Sequence, residues 1–402
     1  MNLSFLKTLL LTLSAGFLAL SLMIFPSESL EAARVGLKIW WKDVFPSLLP
    51  FFVMSELLIG FGFVQFISVL FEPFMRPLFR VPGAGGFVWA MGLTSGFPAG
   101  AKLSARLWQE KQITAIEGER LASFTNGSNP LFLFATVAAG FFNQASLGII
   151  FAISHYVGNF FVGIIMRFHG ARHELTVQKK KPLSISPKSA FRQMHETRIK
   201  DGRPIGQLLG DAIQSSTKTL LMIGGFIVLF SVLTRILNLL HITELLAYFI
   251  KNMLSSLSIS TTLSLPFISG IFEMTTGSYL ASEAHAPIFQ QCIITSFILG
   301  FGGFSGHAQV ASILAPTKIR FKPFFFARIM HGLFAAILTA FIFHPLYKPK
   351  KETTLEVMGY LHHSTGQLRE FILHYGSYFT LIALIASIFI WSVRKSNQSS
   401  LR

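Results

Sequence analysis

Met91-Gly-Leu-Thr-Ser-Gly-Phe-Pro-Ala-Gly100 is the stretch that decides the fold of this chain, together with Ser123-Phe-Thr-Asn-Gly-Ser-Asn-Pro130 shortly after it. Both stretches are short breaks, rich in glycine and small polar residues, inside sequence that is otherwise apolar enough for a lipid bilayer. A helix broken at membrane depth leaves backbone N–H and C=O groups unpaired, and such a break survives only where it is buried in protein or lines a wet cavity. The two breaks therefore predict a polar site inside a membrane protein.

A second pair of breaks occurs in the C-terminal half of the chain. It consists of Ile268-Ser-Gly-Ile-Phe-Glu-Met-Thr-Thr-Gly277 and Phe301-Gly-Gly-Phe-Ser-Gly-His-Ala-Gln309. Interrupted apolar segments in corresponding positions of two halves are the best sequence indication of a transporter's substrate site. The pairing predicts a duplicated architecture in which the breaks of both halves contribute to that site.

The composition is that of a membrane protein. Hydrophobic residues make up 51% of the chain and charged residues only 13%, whereas soluble domains carry about 25% charged residues. The net charge of +16 comes from basic residues between apolar segments, which is typical of positive-inside topology and of contact with anionic lipid headgroups. No nucleic-acid-binding motif accompanies this charge, so we expect no nucleic-acid partner. The single Cys292 excludes an internal disulfide and a cysteine metal cluster, and we expect no metal and no cofactor.

The first part of the chain divides into an N-terminal membrane segment, residues 1–43, and a first repeat, residues 44–169. Leu6–Phe25 is apolar, and we favour an uncleaved span over a secretory signal because the apolar core is long and no small-residue cleavage site follows it. The first repeat is predicted to contain a span, a surface segment, a re-entrant hairpin, a broken span and a final span, at Val44–Phe63, Gln65–Arg80, Gly83–Trp108, Ile113–Phe142 and Leu147–Phe168.

Residues 170–206 form a basic linker, which the positive-inside rule places in the cytoplasm as a solvated loop. A second repeat, residues 207–345, follows the same order of elements. Its predicted segments are Thr219–Leu240, Ile242–Leu257, Ser260–Glu283, Ile288–Leu314 and Phe324–Phe343. A polar loop, residues 346–370, and a C-terminal span with its tail, residues 371–402, complete an all-α polytopic membrane protein.

The predicted topology is an inverted repeat. A re-entrant hairpin returns to its own side, so each half crosses the membrane three times and the two halves have opposite orientations, as alternating-access transporters commonly have. The first hairpin then opens to the cytoplasm and the second to the other side, with the C-terminus cytoplasmic. Arg76, Arg80, Arg320 and Lys322 fall on the cytoplasmic side as the positive-inside rule requires, whereas Lys348–Lys351 falls outside and counts against the scheme.

The run Gly96-Phe-Pro-Ala-Gly-Ala-Lys102, followed by Phe124-Thr-Asn-Gly-Ser-Asn-Pro-Leu131, resembles the sporulation integral membrane protein YlbJ family, also called SpoVV. The resemblance extends over nearly the whole chain. It implies nucleoside-recognition gate domains in the two repeats, similar to those of concentrative nucleoside transporters, and a role in spore cortex formation. It also implies movement of dipicolinic acid, an aromatic dicarboxylate, from the mother cell across the outer forespore membrane.

If the four breaks meet at the membrane midplane, they bring helix ends, small hydroxyl groups and amides together. Helix N-termini offer unpaired N–H groups and partial positive charge, which suit an anion such as a pyridine dicarboxylate, and water-mediated contacts suit a nucleoside. Each polar side chain has a structural alternative, because it can cap a half-helix without touching a ligand. The candidate substrate-binding residues are Thr94, Ser95, Gly96, Gly100, Thr125, Asn126, Gly127, Ser128, Asn129, Ser269, Glu273, Thr275, Thr276, Gly277, Ser305, His307 and Gln309.

Glu273 is the most informative candidate, since an ionisable group inside an apolar segment is a functional hypothesis by default. It can accept hydrogen bonds from substrate hydroxyl groups, bind a coupling cation or carry a proton. We expect a cation or a proton, with buried structural hydrogen bonding as the alternative. Lys102 and Arg106 follow the first break by one or two helical turns and are candidate partners for Glu273 or interfacial anchors. For His307, titration near neutral pH and a structural hydrogen bond are both open.

The sequence predicts a multi-pass transporter of a small polar or anionic metabolite in the cell membrane. It does not indicate an enzyme, because it contains no H-E-x-x-H or P-loop motif and no compact acid–base constellation. The alternatives are a non-transporting membrane scaffold needed for spore morphogenesis and a nucleoside transporter. The substrate, the coupling ion (sodium or proton), the direction of transport and a possible homo-oligomer are left open.

Overall fold

Helices account for the regular structure of the chain wherever it is described. The computed structural model describes residues 3–171 and 187–347, and within those ranges it contains helices and turns but no β-strand. This confirms the predicted all-α class. The predictions for Lys179–Lys181, for the polar loop from residue 348 onward and for the C-terminal span concern residues outside those ranges.

The N-terminal half consists of helices α1 to α8. Their bounds are α1 Leu3–Ile24, α2 Pro26–Ile39, α3 Phe45–Gly60, α4 Phe63–Phe79, α5 Ala84–Ser95, α6 Ala99–Gln109, α7 Ala115–Thr125 and α8 Leu147–Met166. Two π-helical segments, Trp40–Val44 and Phe132–Phe141, follow α2 and α7 respectively. The predicted breaks at residues 95–100 and 125–129 therefore separate α5 from α6 and α7 from the second π-helical segment.

The C-terminal half contains the same order of elements. Its helices are α9 Pro187–Asp201, α10 Ile205–Leu239, α11 Ile242–Ser256, α12 Ser264–Phe272, α13 Met274–Glu283, α14 Ile288–Phe301, α15 Gly303–Leu314 and α16 Phe321–Leu346. After α9, two consecutive helices, a hairpin, an interrupted pair and a final long helix follow one another, as they do from α3 to α8. The first helix of the set differs in length, with 35 residues in α10 and 16 in α3.

Several of these helices are long and apolar enough to cross a membrane. In the described residues they are Leu147–Met166, Ile205–Leu239, Ile288–Leu314 and Phe321–Leu346. Two further helix pairs pass the same test only as bent units, α1 with α2 at 105° and α3 with α4 at 85°. The chain is thus an integral membrane protein with four to six candidate spans in this part. With 16 residues, α3 is shorter than the roughly 20 residues of a straight span.

The linker contains a helix where we predicted a solvated loop. α9 forms because its apolar side chains pack on α4: the Phe191 and Phe66 ring centroids are 4.8 Å apart and Ala190 is fully buried. Gly62, with φ of +77°, admits this approach, since a Cβ there would come within 2.5 Å of the Met194 carbonyl oxygen. Alternating charged and apolar residues concealed this packing face in the sequence.

α10 begins earlier than predicted. It starts at Ile205, directly after Pro204, and runs for 35 residues, whereas the apolar run in the sequence indicated a start at Thr219. Leu208 and Ala212 are buried in its first turns, and Leu208 packs at Gly60, where α3 ends. Tertiary packing on α3 therefore extends the helix beyond the part that is apolar enough to be recognised from sequence.

α8 and α16 run antiparallel, as contacts at both ends of the pair show. At one end, Glu119 accepts a hydrogen bond from Arg320 Nε at 2.7 Å, just before α16, and lies 2.5 Å from His169 Nε2, just after α8. At the other end, the Tyr347 hydroxyl after α16 donates to Gln144 Oε1 before α8 at 3.1 Å. We call these the Glu119 end and the Tyr347 end of the bundle.

The α5–α6 hairpin opens at the Glu119 end. The Gly83 N–H group at its base donates to Glu72 Oε2 at 2.6 Å. Arg76, one turn further along α4, pairs with Glu117 at 3.1 Å. Because Glu117 and Glu119 share the first turns of α7, the base of this hairpin and the Glu119 cluster lie together.

The α12–α13 hairpin opens at the opposite, Tyr347 end. The Ser260 N–H group at its base donates to Gln290 Oε1 at 2.8 Å. The neighbouring Phe289 ring packs 5.2 Å from Phe343 in the last turn of α16. The inverted repeat stays a prediction, and hairpins that open at opposite ends of the bundle are what it requires.

Candidate functional site

The two breaks of the N-terminal half pack directly against each other. Asn126 Oδ1 accepts a hydrogen bond from Ala101 N at 3.0 Å, so the break after α7 closes onto the first turn of α6. Gly92 and Gly100 both pack against the backbone of Thr125. A Cβ on Gly92 would come within 2.1 Å of the Thr125 carbonyl oxygen, and a Cβ on Gly100 would come within 2.5 Å of it. Only glycine, which has no Cβ, lets these helices approach the Thr125 backbone so closely.

The two breaks of the C-terminal half pack in the same way. Gly303, with φ of +64°, lies so close to the hairpin that a Cβ would be 3.0 Å from Met274 N and 3.2 Å from Phe272 O. A Cβ on Gly277 would come within 2.1 Å of the Gly270 Cα, so α12 and α13 touch along their backbones. Each half thus brings its hairpin tip against its interrupted helix.

Phe97 and Arg328 join the two pairs of breaks. A Cβ on Gly302 would lie 3.2 Å from the Phe97 ring, and a Cβ on Gly306 would lie 3.0 Å from it. The tip of the first hairpin therefore reaches the α14–α15 break. The Arg328 guanidinium carbon lies 5.3 Å from the centroid of the same ring. The four breaks therefore meet, as the sequence analysis required of a shared site. We call this region the break junction: residues 95–99, 125–131, 272–274 and 300–303 with the side chains that contact them.

Arg328 on α16 is the central charge of the break junction. It is fully buried, and its guanidinium donates to the backbone carbonyls of Asn126, Gly300 and Phe301. These carbonyls belong to the C-terminal ends of half-helices, where the helix dipole is negative. No Asp or Glu in the described ranges forms an ion pair with Arg328. The junction therefore carries a buried positive charge held by carbonyl dipoles.

Arg328 was not among the predicted site residues, because Phe324–Phe343 has the composition of an ordinary span. The guanidinium inside that apolar run is the feature that would have found it, since an ionisable residue within a span is a functional hypothesis by default. His331, one turn further along α16, and His155 on α8 were not among the candidates either.

A buried histidine pair lies beside Arg328. Ser128 N donates to His155 Nε2 at 2.9 Å, and His331 Nε2 lies 2.7 Å from the His155 carbonyl oxygen. The two ring centroids are 4.6 Å apart. Both Nδ1 atoms and the Asn159 Oδ1 atom are buried without a hydrogen-bond partner in the part of the chain that the structure describes. These atoms remain available for hydrogen bonds to a ligand.

The break junction is rich in groups that suit an anion. α15 begins at Gly303 without a side-chain cap, so its first N–H groups keep their partial positive charge. Its N-terminus adjoins Arg328, whose Nη2 atom would be 3.7 Å from a Cβ on Gly302. No group of three or more His, Cys, Asp or Glu side chains suited to a metal ion occurs in residues 3–171 and 187–347.

The two candidate asparagines are largely used by the protein itself. Asn126 Nδ2 donates to Ala122 O at 2.6 Å, in addition to the bond that its Oδ1 atom accepts. Asn129 Oδ1 accepts from Phe132 N at 2.8 Å, and its Nδ2 atom lies 3.4 Å from Ser95 O. These contacts favour the capping alternative for both side chains.

The other candidates of the first half differ in their surroundings. Thr94 is exposed and bonds to carbonyls of its own helix, and Thr125 Oγ1 donates to Leu121 O at 2.7 Å. The Ser95 and Ser128 hydroxyls are buried with no hydrogen-bond partner within the described ranges. The space at Gly127 is filled by His155, whose Nε2 atom would be 2.7 Å from a Cβ there. Gly96 has φ of +83° and ends α5 against Asn129.

Glu273 caps the N-terminus of α13. Its Oε1 atom accepts from Thr275 N at 3.0 Å, and its Oε2 atom accepts from Thr276 N at 2.7 Å and from the Thr276 hydroxyl at 2.9 Å. The break is therefore confined to Glu273, and Gly277, where we predicted that it ended, lies inside α13. The capping carboxylate starts the helix at Met274 because it satisfies the first free N–H groups.

The remaining candidates of the second half are buried on α12 and α15. His307 Nε2 lies 2.8 Å from Phe301 O, which is the structural hydrogen bond considered from the sequence. Ser305 and Gln309 occupy the same helix with about the same burial. Ser269 accepts a backbone hydrogen bond from Glu273 N at 2.8 Å.

Lys102 and Arg106 pair with Glu56, and the proposed pairing with Glu273 is wrong for this structure. Lys102 Nζ lies 3.3 Å from Glu56 Oε1, and Arg106 Nε lies 3.7 Å from Glu56 Oε2. Ser215 on α10 also donates to Glu56 at 3.0 Å. Sequence reasoning missed Glu56 because it lies in the predicted span Val44–Phe63, away from any break.

The fold and the break junction define a class of multi-pass membrane proteins built around interrupted helices. Residues 41–172 match the family model described as Gate, nucleoside recognition. The chain is 50% identical over 403 residues to the sporulation integral membrane protein YlbJ of Bacillus subtilis (strain 168), and the match covers 99% of both proteins. The chain belongs to the YlbJ family of sporulation integral membrane proteins, which confirms the resemblance found in its motifs. No solved structure matches the chain.

Proposed function

We propose that this protein is a transporter that binds a small anionic metabolite at the break junction. The substrate that fits both the junction and the family resemblance is an aromatic dicarboxylate, dipicolinic acid, carried across the outer forespore membrane during spore cortex formation. The relative named above is called a sporulation integral membrane protein, which supports a role at that stage.

The buried charge of Arg328 is the observation that carries this proposal. A guanidinium removed from water without a carboxylate partner is unfavourable, and such residues within membrane proteins mark substrate or ion pathways. A carboxylate bound at the junction supplies the missing negative charge and matches the planar, forked geometry of the guanidinium. The uncapped N-terminus of α15 adds donors of the same sign beside it.

A nucleoside transporter is the second candidate function. The match of residues 41–172 to the nucleoside-recognition gate family is the observation that favours it. The Ser95 and Ser128 hydroxyls and the Asn159 carboxamide oxygen are suitable partners for ribose and base. The two candidates differ in their requirement for Arg328, because a neutral nucleoside gains little from a guanidinium.

Flux into liposomes tests the proposed function. We expect the purified wild-type protein to catalyse saturable uptake of pyridine-2,6-dicarboxylate in preference to uridine or adenosine. Arg328→Gln should reduce that uptake about 10- to 100-fold, the loss expected for hydrogen bonds to a charged group. Arg328→Lys keeps the charge and should retain more uptake than Arg328→Gln, while Arg76→Gln, which changes an exposed arginine, is the control.

Uptake of these three compounds also separates dicarboxylate transport from nucleoside transport and from a non-transporting scaffold. Uptake of nucleosides without uptake of dicarboxylates would replace the proposal by nucleoside transport. Absence of flux for every compound, from protein that elutes as a folded species, would favour the non-transporting scaffold.

A further inference from the structure

The hydrogen bonds of the His155–His331 pair determine where each imidazole carries its proton. The backbone N–H group of Ser128 can only donate, so His155 Nε2 accepts and the proton of the neutral ring lies on Nδ1. The His155 carbonyl can only accept, so His331 Nε2 carries a proton. His331 Nδ1 is then an unprotonated, basic nitrogen, buried and without a hydrogen-bond partner within the described part of the chain. The Gly300 carbonyl is a second backbone acceptor near this ring.

The two histidines therefore respond differently to an added proton. His155 can take one only by losing the hydrogen bond that holds Ser128 in the break after α7. His331 can take one on Nδ1 without losing any hydrogen bond that it makes in this structure. Of the two, His331 is the proton-binding residue.

The charged groups around His331 make proton binding depend on a bound anion. Arg328 lies one turn away on α16 and acts electrostatically on both imidazoles. From the other helices packed on α16, the titratable and charged groups are His155 and Tyr156 on α8, His307 on α15, Cys292 on α14, and Glu117, Glu119 and Arg120 on α7. The Tyr156 hydroxyl donates to Ser128 O, and Arg120 donates to the carbonyls of Arg80 and His169 at the Glu119 end. Glu119 is already paired with Arg320 at the end of the bundle, and Cys292 lies in an apolar cluster with Phe343. A proton on His331 is thus opposed first by the burial of the ring and then by the guanidinium charge, which is the part that a bound anion can remove.

We propose that His331 binds a proton together with the anionic substrate, so that the protein is a proton-coupled anion transporter. An anion on Arg328 removes the repulsion between the guanidinium and a protonated imidazole. By reciprocity, a proton on His331 Nδ1 then strengthens anion binding. The charges balance for a dicarboxylate, because one dianion is matched by the guanidinium and one imidazolium, and the loaded junction is electrically neutral. This inference rests on the proposed function and moves the coupling site from Glu273 to His331.

Calorimetry measures this coupling directly. Pyridine-2,6-dicarboxylate, a dianion at neutral pH, is titrated into the full-length protein in detergent, in two buffers of equal pH that differ in ionisation enthalpy. The difference in heat gives the number of protons taken up for each anion bound. We expect uptake of close to one proton at pH values between those at which His331 titrates in the empty and in the loaded protein. The affinity should then fall about tenfold for each unit of rising pH.

Two variants identify the proton-binding residue. His331→Gln keeps a side-chain N–H donor for the His155 carbonyl, and it should bind the probe more weakly, without proton uptake and without the dependence on pH. His344→Gln changes an exposed histidine on the same helix and should behave as the wild type. A merely structural His331 would lower the amount of folded protein and leave the protons taken up per bound anion unchanged.

The outcomes distinguish this inference from the function on which it rests. Binding and flux of the dicarboxylate without proton uptake, or with proton uptake that persists in His331→Gln, would overturn proton coupling at His331 and leave anion transport standing. Absence of both binding and flux in the wild type would overturn the two together. In liposomes containing a pH-sensitive dye, inward movement of the probe should acidify the lumen for the wild type and His344→Gln but not for His331→Gln.

Discussion

Glu273 and Arg328 are both ionisable residues in apolar surroundings, yet their contacts give them different roles. Glu273 is a half-exposed helix cap whose two oxygens are already occupied by N–H and hydroxyl groups. Arg328 is fully buried and lies where the interrupted helices of both halves meet. The sequence shows the charge in each case, and only the contacts separate a cap from a candidate site.

Replacing Glu273 tests its capping role. Glu273→Ala should lower the free energy of unfolding by about 1 kcal/mol, the usual loss for an N-cap, and leave the dependence of uptake on an ion or proton gradient unchanged. Glu273→Asp retains a capping carboxylate and is the matched control. Thermal unfolding in detergent and gradient-driven uptake are the two measurements. Loss of gradient dependence in folded Glu273→Ala protein would restore the hypothesis that this carboxylate is the coupling site.

At the level of helices, the positions of the breaks could be predicted from sequence and the partners across them could not. Gly96, Pro98 and Gly302 stand out in apolar runs, because glycine and proline interrupt helices. That Arg328 binds the Asn126 carbonyl, 202 positions away, depends on how α16 packs between the halves. α9 was missed for the same reason, since its packing on α4 outweighs its charged composition.

The close contact between α12 and α13 predicts the effect of a single methyl group. Gly277→Ala would place a Cβ 2.1 Å from the Gly270 Cα, and the two backbones must separate to admit it. We expect the free energy of unfolding to fall by about 1–3 kcal/mol, the usual range for overpacking. Gly225→Ala is the control, because a Cβ there meets nothing within 4 Å and alanine favours the interior of α10. Unfolding temperatures of the two purified variants give the comparison, and equal values would contradict the packing described here.

For the whole molecule, the arrangement of the two ends of the helical bundle is the feature that bears most on the proposed transport. Arg80, Glu119, His169 and Arg320 cluster at one end of the bundle, where chain segments from both halves meet. The first hairpin opens at that end and the second at the other. Two hairpin tips that reach one junction from opposite ends are suited to exposing it alternately to each side.

Labelling from the two sides of the membrane tests this arrangement. In a Cys292→Ala background, we expect cysteines at Gln109, where α6 ends, and at His285, between α13 and α14, to react with a membrane-impermeant maleimide from opposite sides; both native side chains are exposed. A cysteine at Lys200 on α9 should react from the same side as one at Gln109, and the positive-inside rule makes that side cytoplasmic. Right-side-out and inverted vesicles provide the comparison. Reaction of positions 109 and 285 from one side would rule out the inverted repeat, because both hairpins would then open to the same compartment.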